Sequence, residues 1–416
     1  MRLKPSMRWT KVRSAVALGV AVAGFSTLAV AQTTPAMADP TETLVVVGSD
    51  TIQDVWNAFA TSFGGNLVGS YNATNPVDGA INEVITPVDG TAGVNCSFAR
   101  PNGSGQGVAA LRLALNASST NASAAATPVP QVGCVDIARS SSGPGTLGNY
   151  TGTGGIQYVP FALDAVGGAT GPATASTTAF NADLGNGTTQ SVTPEATVIT
   201  TADSFTLTDL ETLYASCGTV TEGGVTYWPQ GSTTAQPSGS VVIDLYVPQS
   251  GSGTRSFWAS TLGFSATTLP ACVHDHIIAG ELAPANTTGN VSVPVEQDDG
   301  SVFATDPNGF GPFSIAQWVS QNNGHNDRRH GAVIHSLNAI SPFTTSGTLN
   351  TSFPITRDVY DVVSLTRLTT SGDPLNTLLD GSTSKICNAK STILSYGFAL
   401  IGSTCGAILA ADEAAP

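Results

Sequence analysis

Charge is scarce in this 416-residue chain: only 11% of its residues are charged, and basic residues number 15 against 29 acidic ones. Five of the 15 (Arg2, Lys4, Arg8, Lys11 and Arg13) crowd the first 13 positions, which leaves ten basic residues for everything that follows. A surface so short of cations cannot neutralise a run of phosphates, and this excludes binding to a DNA or RNA backbone. Long apolar runs are missing after the N-terminal region: no later segment reaches 18 uninterrupted apolar residues, so no spanning helix is expected there. The five histidines are scattered, apart from Cys272-Val-His274-Asp-His276. With no second His/Cys cluster at ligand spacing, no metal is expected, and no motif calls for a cofactor. Repeats and long charge runs are absent as well.

Glycine (45) and proline (24) are plentiful and imply many loops, while 41% hydrophobic content is enough for a sizeable core. Length alone allows two domains of ordinary size. The basic first residues, the apolar run Ala15–Val30 and the small-x-small site Ala36-Met37-Ala38 read as an export leader, residues 1–38, cut after Ala38 or, as the runner-up, after Ala31. An extracytoplasmic destination follows, and no Cys near the cut offers a lipid-anchor site. Six cysteines, Cys96, Cys134, Cys217, Cys272, Cys387 and Cys405, fit an oxidising compartment. They allow fifteen pairings; the spacing suggests sequential ones.

The chemistry lies in strand–loop–helix units. The first runs from Leu44-Val45-Val46-Val47 through Gly48-Ser49-Asp50-Thr51 into a helix whose Ile52, Val55, Trp56, Phe59 and Ala60 form one apolar stripe. Ser49, Asp50 or Thr51 can cap it. The second is Gly103-Ser104-Gly105-Gln106-Gly107 before VAALRLAL. The third is VVIDLYV, then Pro248-Gln249-Ser250-Gly251-Ser252-Gly253-Thr254, then RSFWASTL. A fourth, Arg139-Ser140-Ser141-Ser142-Gly143-Pro144, follows the apolar Val135–Ala138 segment. Loops of this kind open helices with free backbone N–H groups and hydroxyls, where the helix dipole favours an anion. One such loop is an ordinary capped helix; four in one chain point to convergent oxyanion donors.

The order GSDT, GSGQG, ARSSSGP, YVPFALDAV, TLTDLETLY, VPQSGSGTRSFW and FPITRDVYDVV resembles the phosphate-binding proteins of ABC importers, in a secreted, actinobacterial-looking branch. The resemblance spans roughly Leu44 to Cys405 and implies an α/β chain with the two-domain type II periplasmic-binding-protein fold and a hinge cleft. It places residues 39–163 and 350–416 in a discontinuous first domain and 164–349 in the second, with Ile156–Leu163 as the outgoing crossover strand and FPITRDVYDVV as the returning one. The implied ligand contacts are Ser49, Asp50, Thr51 and Ile52, then Ser104 and Gly105, Arg139, Ser140 and Ser141, and finally Ser252, Gly253 and Thr254.

Two departures from the family pattern matter. Pro248 and Ser250 stand where the family commonly has Arg and Asp before its SGT, and Ser141 stands where it has the Asp that accepts the proton of hydrogen phosphate. Asp50 is the expected substitute acceptor, ahead of Asp164 and Asp54, unless it only caps its helix; Arg139 and Arg255 are the expected cations. Further along, Thr208-x-x-Glu211 is expected as a capping box, Ala169–Ser191 and Gly231–Ser240 as surface loops or hairpins, Arg328-Arg329-His330 as a solvated turn, and Ser391–Leu400 as a last helix.

The expected function is non-enzymatic: a monomeric extracytoplasmic receptor that captures inorganic phosphate or a related small oxyanion for an ABC importer membrane complex. A surface interaction protein on the same fold is the alternative. A serine hydrolase or phosphatase using Ser252 or Ser104 is a weaker one, because neither serine is central in G-x-S-x-G.

Overall fold

The computed structural model describes residues 43–64, 66–76, 80–87, 96–115, 126–144, 155–183, 189–277, 294–408 and 413–414. The expected leader lies outside the described residues. Among those described, no helix is long and apolar enough to cross a membrane.

The architecture is α/β. Nine strands form the main run of one mixed sheet: β1 (Leu44–Gly48), β2 (Val68–Ser70), β3 (Ile137–Ser140), β4 (Ile156–Thr170), β5 (Val220–Glu222), β6 (Val225–Pro229), β7 (Val241–Tyr246), β8 (Gly309–Ser314) and β9 (Thr356–Ser364). Their spatial order is β2-β1-β3-β9-β4-β8-β7-β6-β5. β1 runs parallel to β2 and β3, and β7 runs parallel to β6 and β8. Between these parallel groups, β9 and β4 pair antiparallel to each other, with Arg357 opposite Asp164.

β4 holds the two ends of the sheet together. Its residues from Ile156 to Ala165 pair with β9, and those from Val166 to Ala169 pair with β8. The strand extends well past the expected Leu163 to Thr170, into the start of the expected loop Ala169–Ser191, by way of Gly167 and Gly168. Their missing side chains are structural: a Cβ on Gly167 would come within 2.4 Å of Ile334 Cγ2, and one on Gly168 within 2.2 Å of Phe310 Cζ. Glycine permits this close packing of aromatic and aliphatic groups onto a strand.

Six helices matter for the site: α1 (Gln53–Phe63), α2 (Ser104–Ala114), α3 (Leu207–Ser216), α4 (Gly253–Leu262), α5 (Ser301–Thr305) and α6 (Ile315–Asn322). α1, α2 and α4 each begin where a strand or loop ends, as the sequence units imply. The stripe of α1 is fully buried at Ile52, Val55, Trp56 and Phe59, and burying each such side chain contributes about 1.5–3 kcal/mol. Trp56 Nε1 also donates to Asp361 Oδ1 on β9 at 2.8 Å, which fixes α1 against the sheet.

Two local expectations shift. The capping box of α3 is built by Thr206 and Asp209, not by Thr208 and Glu211, because the helix starts at Leu207. The last apolar helix is only Lys390–Ser395. It stops before Gly397, whose φ of 81° ends the turn and where a Cβ would come within 2.0 Å of Ala316 O. Three disulfides join Cys96 to Cys134, Cys217 to Cys272 and Cys387 to Cys405. They are the sequential pairs that the spacing suggests.

Candidate functional site

The starts of α2 and α4 meet the end of β3 at one point. Ser104 Oγ lies 3.3 Å from Ser141 Oγ and accepts from Ser141 N at 3.0 Å. Gly253 closes the group: a Cβ added there would lie 2.4 Å from Ser104 Oγ and 2.6 Å from Ser141 Oγ. Beside it, Gly105 N donates to Gly251 O at 3.2 Å, and Gln249 Nε2 donates to Asn102 Oδ1 at 2.6 Å. Gly103 and Gly251 adopt φ values of 99° and 93°, which only glycine takes without strain. Their backbones can therefore touch.

The loop after β1 joins from the other side. Ser49 N donates to Arg139 O at 3.1 Å, and Gly48 packs so tightly on the first turn of α2 that a Cβ on Gly107 would reach 2.6 Å from Gly48 Cα. Thr51 O accepts from Gln317 Nε2 at the start of α6. Ser252 caps α4 and donates to Gln297 Oε1 at 2.8 Å, while Gln297 O accepts from Ser314 N. The four loops singled out in sequence thus form a connected ring of backbone and hydroxyl groups.

Several polar atoms in this ring are buried with no hydrogen-bond partner in the protein: Ser49 Oγ, Thr51 Oγ1, Thr254 Oγ1, Gln297 Nε2 and Gln317 Oε1. Ser49, Thr51, Thr254, Gln297 and Gln317 are all fully buried. Isolated buried polar groups are costly, about 1–3 kcal/mol each, so their concentration beside helix N-termini marks a place for a polar ligand. Ile52, also fully buried, is the N-cap residue of α1, whose start no side chain caps. Ser140 Oγ turns back to Ser142 O at 2.7 Å.

The expected cations turn elsewhere. Arg139 is fully buried, and it donates to Ser49 O, Ser70 Oγ, Gly48 O and Tyr71 O at 2.7–3.2 Å. With all but one of its five N–H groups spent, it clamps the loop after β1. Burial pulls its pKa down to about 9 despite Asp50, Asp54 and Asp361 nearby. Arg255 donates to Ala266 O at 2.7 Å and pairs with Asp275 at 2.6 Å, so it secures the segment after α4.

The expected proton acceptors also have other partners. Asp50 Oδ1 accepts from Thr51 N at 2.9 Å, and its carboxyl adds to the upward shift of Glu296. It lines a cavity of about 120 Å³ together with Gln53, Glu296, Asp298, Asp299 and Arg328. Burial pushes Glu296 well above the usual carboxylate range and, with Asp50, Asp54 and Asp299 adding to it, raises Asp298 to about 7 against the pull of Arg328. Arg328, expected on a solvated turn, pairs with Asp298 and lies 3.6 Å from Asp54. Burial alone would lower it, yet these carboxylates hold it above its ordinary value. Asp164 is paired with Arg357 at 2.8 Å. Among the described residues, no group of three or more His, Cys, Asp or Glu is arranged to hold a metal ion.

Sequence reasoning missed Gln297, Gln317 and Arg357. None of them belongs to a Gly/Ser loop, and only their neighbours in space give them meaning.

No protein-family model matches the chain, and a search of curated proteins returns no match. Among solved structures, the chain is similar to a putative phosphate ABC transporter substrate-binding protein with bound phosphate from Clostridium perfringens, with 14% identity, a TM-score of 0.43, and coverage of 86% of this chain and 100% of that one. It is also similar to the high-affinity periplasmic phosphate-binding protein PfluDING bound with phosphate, at 12% identity and a TM-score of 0.40 over 87% of this chain and 91% of that one. PstS from Borrelia burgdorferi matches at 14% identity and a TM-score of 0.36, over 86% of this chain and 98% of that one. At these TM-scores the chemistry of the site rests on its own geometry.

Proposed function

We propose that this protein is a non-catalytic receptor for inorganic phosphate or a related small oxyanion, held between the loops that begin α1, α2 and α4. The observation that carries the reading is the convergence of Ser104, Ser141 and Gly253 at two helix starts, beside the unpaired buried hydroxyls of Ser49, Thr51 and Thr254. Such donors bind an anion without any net positive charge on the protein, because they act as fixed dipoles in a dry site. Each neutral hydrogen bond contributes about 0.5–1.5 kcal/mol, so several together reach useful affinity.

The serines favour binding over hydrolysis. Ser252 Oγ donates to an amide oxygen of Gln297, and Ser104 Oγ meets another hydroxyl. Neither partner can take a proton as a general base. We further infer a two-domain arrangement, residues 39–163 with 350–416 against 164–349, joined by β4 and β9 and working outside the cytoplasm as a monomer that hands its anion to an ABC importer membrane complex. The three disulfides support that compartment.

Calorimetric titration of the protein, dialysed free of anions, tests the reading with phosphate first and then with sulfate, arsenate and molybdate. One-to-one heat with phosphate supports it. Silence toward all four anions sinks it and leaves the surface-interaction alternative.

A further inference from the structure

Arg357 is 5% exposed and projects from β9, where the two antiparallel middle strands pair. Its Nε and Nη2 donate to Asp164 Oδ2 at 3.1 and 2.8 Å. Asp164 is fully buried and is itself held by Ser314 Oγ and Ala316 N, both at 3.0 Å from its Oδ1. The guanidinium is thus fixed from behind. Its Nη1, by contrast, is buried and has no partner in the protein.

The guanidinium is linked to the elements that build the ring described above. Its Cζ lies 5.4 Å from the ring centroid of Phe257, one turn past Thr254 on α4. Ala316, which shares Asp164 with it, precedes Gln317, whose Nε2 reaches Thr51 O. Arg357 therefore lies against α4 and is tied through Asp164 to the start of α6, whose Gln317 reaches the loop after β1. Arg139 and Arg255 spend their donors on backbone carbonyls and Asp275, away from any ligand.

We propose that Arg357 is the ligand-contacting cation of the site, donating from Nη1 to an oxygen of the bound anion, with Asp164 as the positioning residue that orients it. This rests on the reading of the ring as an oxyanion site. The pair is neutral in sum, so the arginine adds a charge-assisted hydrogen bond without leaving an uncompensated cation when the site is empty of anion. A guanidinium whose Nε and Nη2 both donate to Asp164 Oδ2 is held along one edge, which also sets the direction from which the ligand oxygen must approach.

The test is calorimetry with inorganic phosphate on the wild type, Arg357→Gln and Arg357→Lys, each checked by thermal melting. Lysine keeps a charge beside Asp164 but cannot hold it and reach the anion at the same time. The expected result is a loss of affinity of about 10- to 100-fold for Arg357→Lys, with a larger loss for Arg357→Gln. If the wild type binds phosphate and a folded Arg357→Lys binds it equally well, the proposal is overturned. If the wild type binds no anion, the oxyanion reading has failed and the role of Arg357 falls with it. Should both variants fail to fold, a crystal structure of the wild type grown with phosphate decides the matter: Nη1 within hydrogen-bonding distance of a phosphate oxygen supports the assignment, and Nη1 directed elsewhere ends it.

Discussion

The ring around Gly253 and the cavity beside Asp50 share the loop after β1, yet one is lined with neutral donors and the other with crowded carboxyls. In the ring, hydroxyls of Ser49, Thr51 and Thr254 are buried without partners. In the cavity, Asp50, Glu296, Asp298 and Asp299 gather around Arg328. On the proposed reading, the difference is what lets a chain so rich in acidic residues offer a site to an anion. Asp298 and Asp54 face Arg328, Asp50 accepts from Thr51 N, and Glu296 accepts from Gln249 Nε2. Burial raises Glu296 well above the usual carboxylate range and Asp298 to about 7, and a carboxyl that holds its proton repels a neighbouring anion less.

Removing Arg328 should break that balance most severely. In Arg328→Met, Asp298 and Asp54 lose their counter-charge while staying buried, and stability should fall by about 3 kcal/mol. Urea denaturation measures it; an unchanged midpoint would show that the carboxyls had no need of the arginine. Next in size is Gly253→Ala, which puts a methyl where Ser104 and Ser141 meet. Overpacking of this kind costs about 1–3 kcal/mol of stability, so the melting temperature should fall by several degrees, and phosphate affinity should drop by about 10- to 100-fold in the folded variant. Equal heats for variant and wild type would remove the ring from consideration.

The pH dependence sharpens the comparison further. Asp298 in the folded protein holds its proton up to about 7, above its ordinary 3.8. Between these values the native state binds a proton that the unfolded chain has released. The group's contribution is therefore full below about pH 4 and is lost as pH rises through 7, with a slope of up to about 1.4 kcal/mol per pH unit. Asp298→Asn should flatten the slope between pH 5 and 7, as read from denaturation midpoints across that range; a slope that survives unchanged assigns it to another group. The smallest effect is Thr206→Ala, far along the chain from both regions. It removes the capping box of α3 and should cost about 1 kcal/mol with phosphate affinity intact.

Much of the framework is legible because period and composition report it directly. The run Leu44–Val47 and the stripe of α1 announce a buried strand and the helix packed on it, and the Gly/Ser loops announce helix starts. What remains hidden is direction. Nothing in the sequence tells that Arg139 folds back onto Ser49 and Tyr71, that Asp50 shares a cavity with Glu296, or that Arg255 reaches Asp275. The same limit concealed Arg357, which sits between Thr356 and Asp358 on a strand with no loop to mark it. β4 was legible only to Leu163, because glycines required by the packing of Ile334 and Phe310 look like glycines required by a turn.

The contact between Gly105 N and Gly251 O has a consequence for the traffic of any bound ion. At that rim two main chains meet directly, with no side chain between them to swing aside on the nanosecond scale. Exit and entry there must wait for whole segments to separate, a motion of microseconds to milliseconds. Residence time at this site would then be governed by how readily the middle strands β4 and β9 flex, and side-chain substitutions along the rim would leave it nearly unchanged.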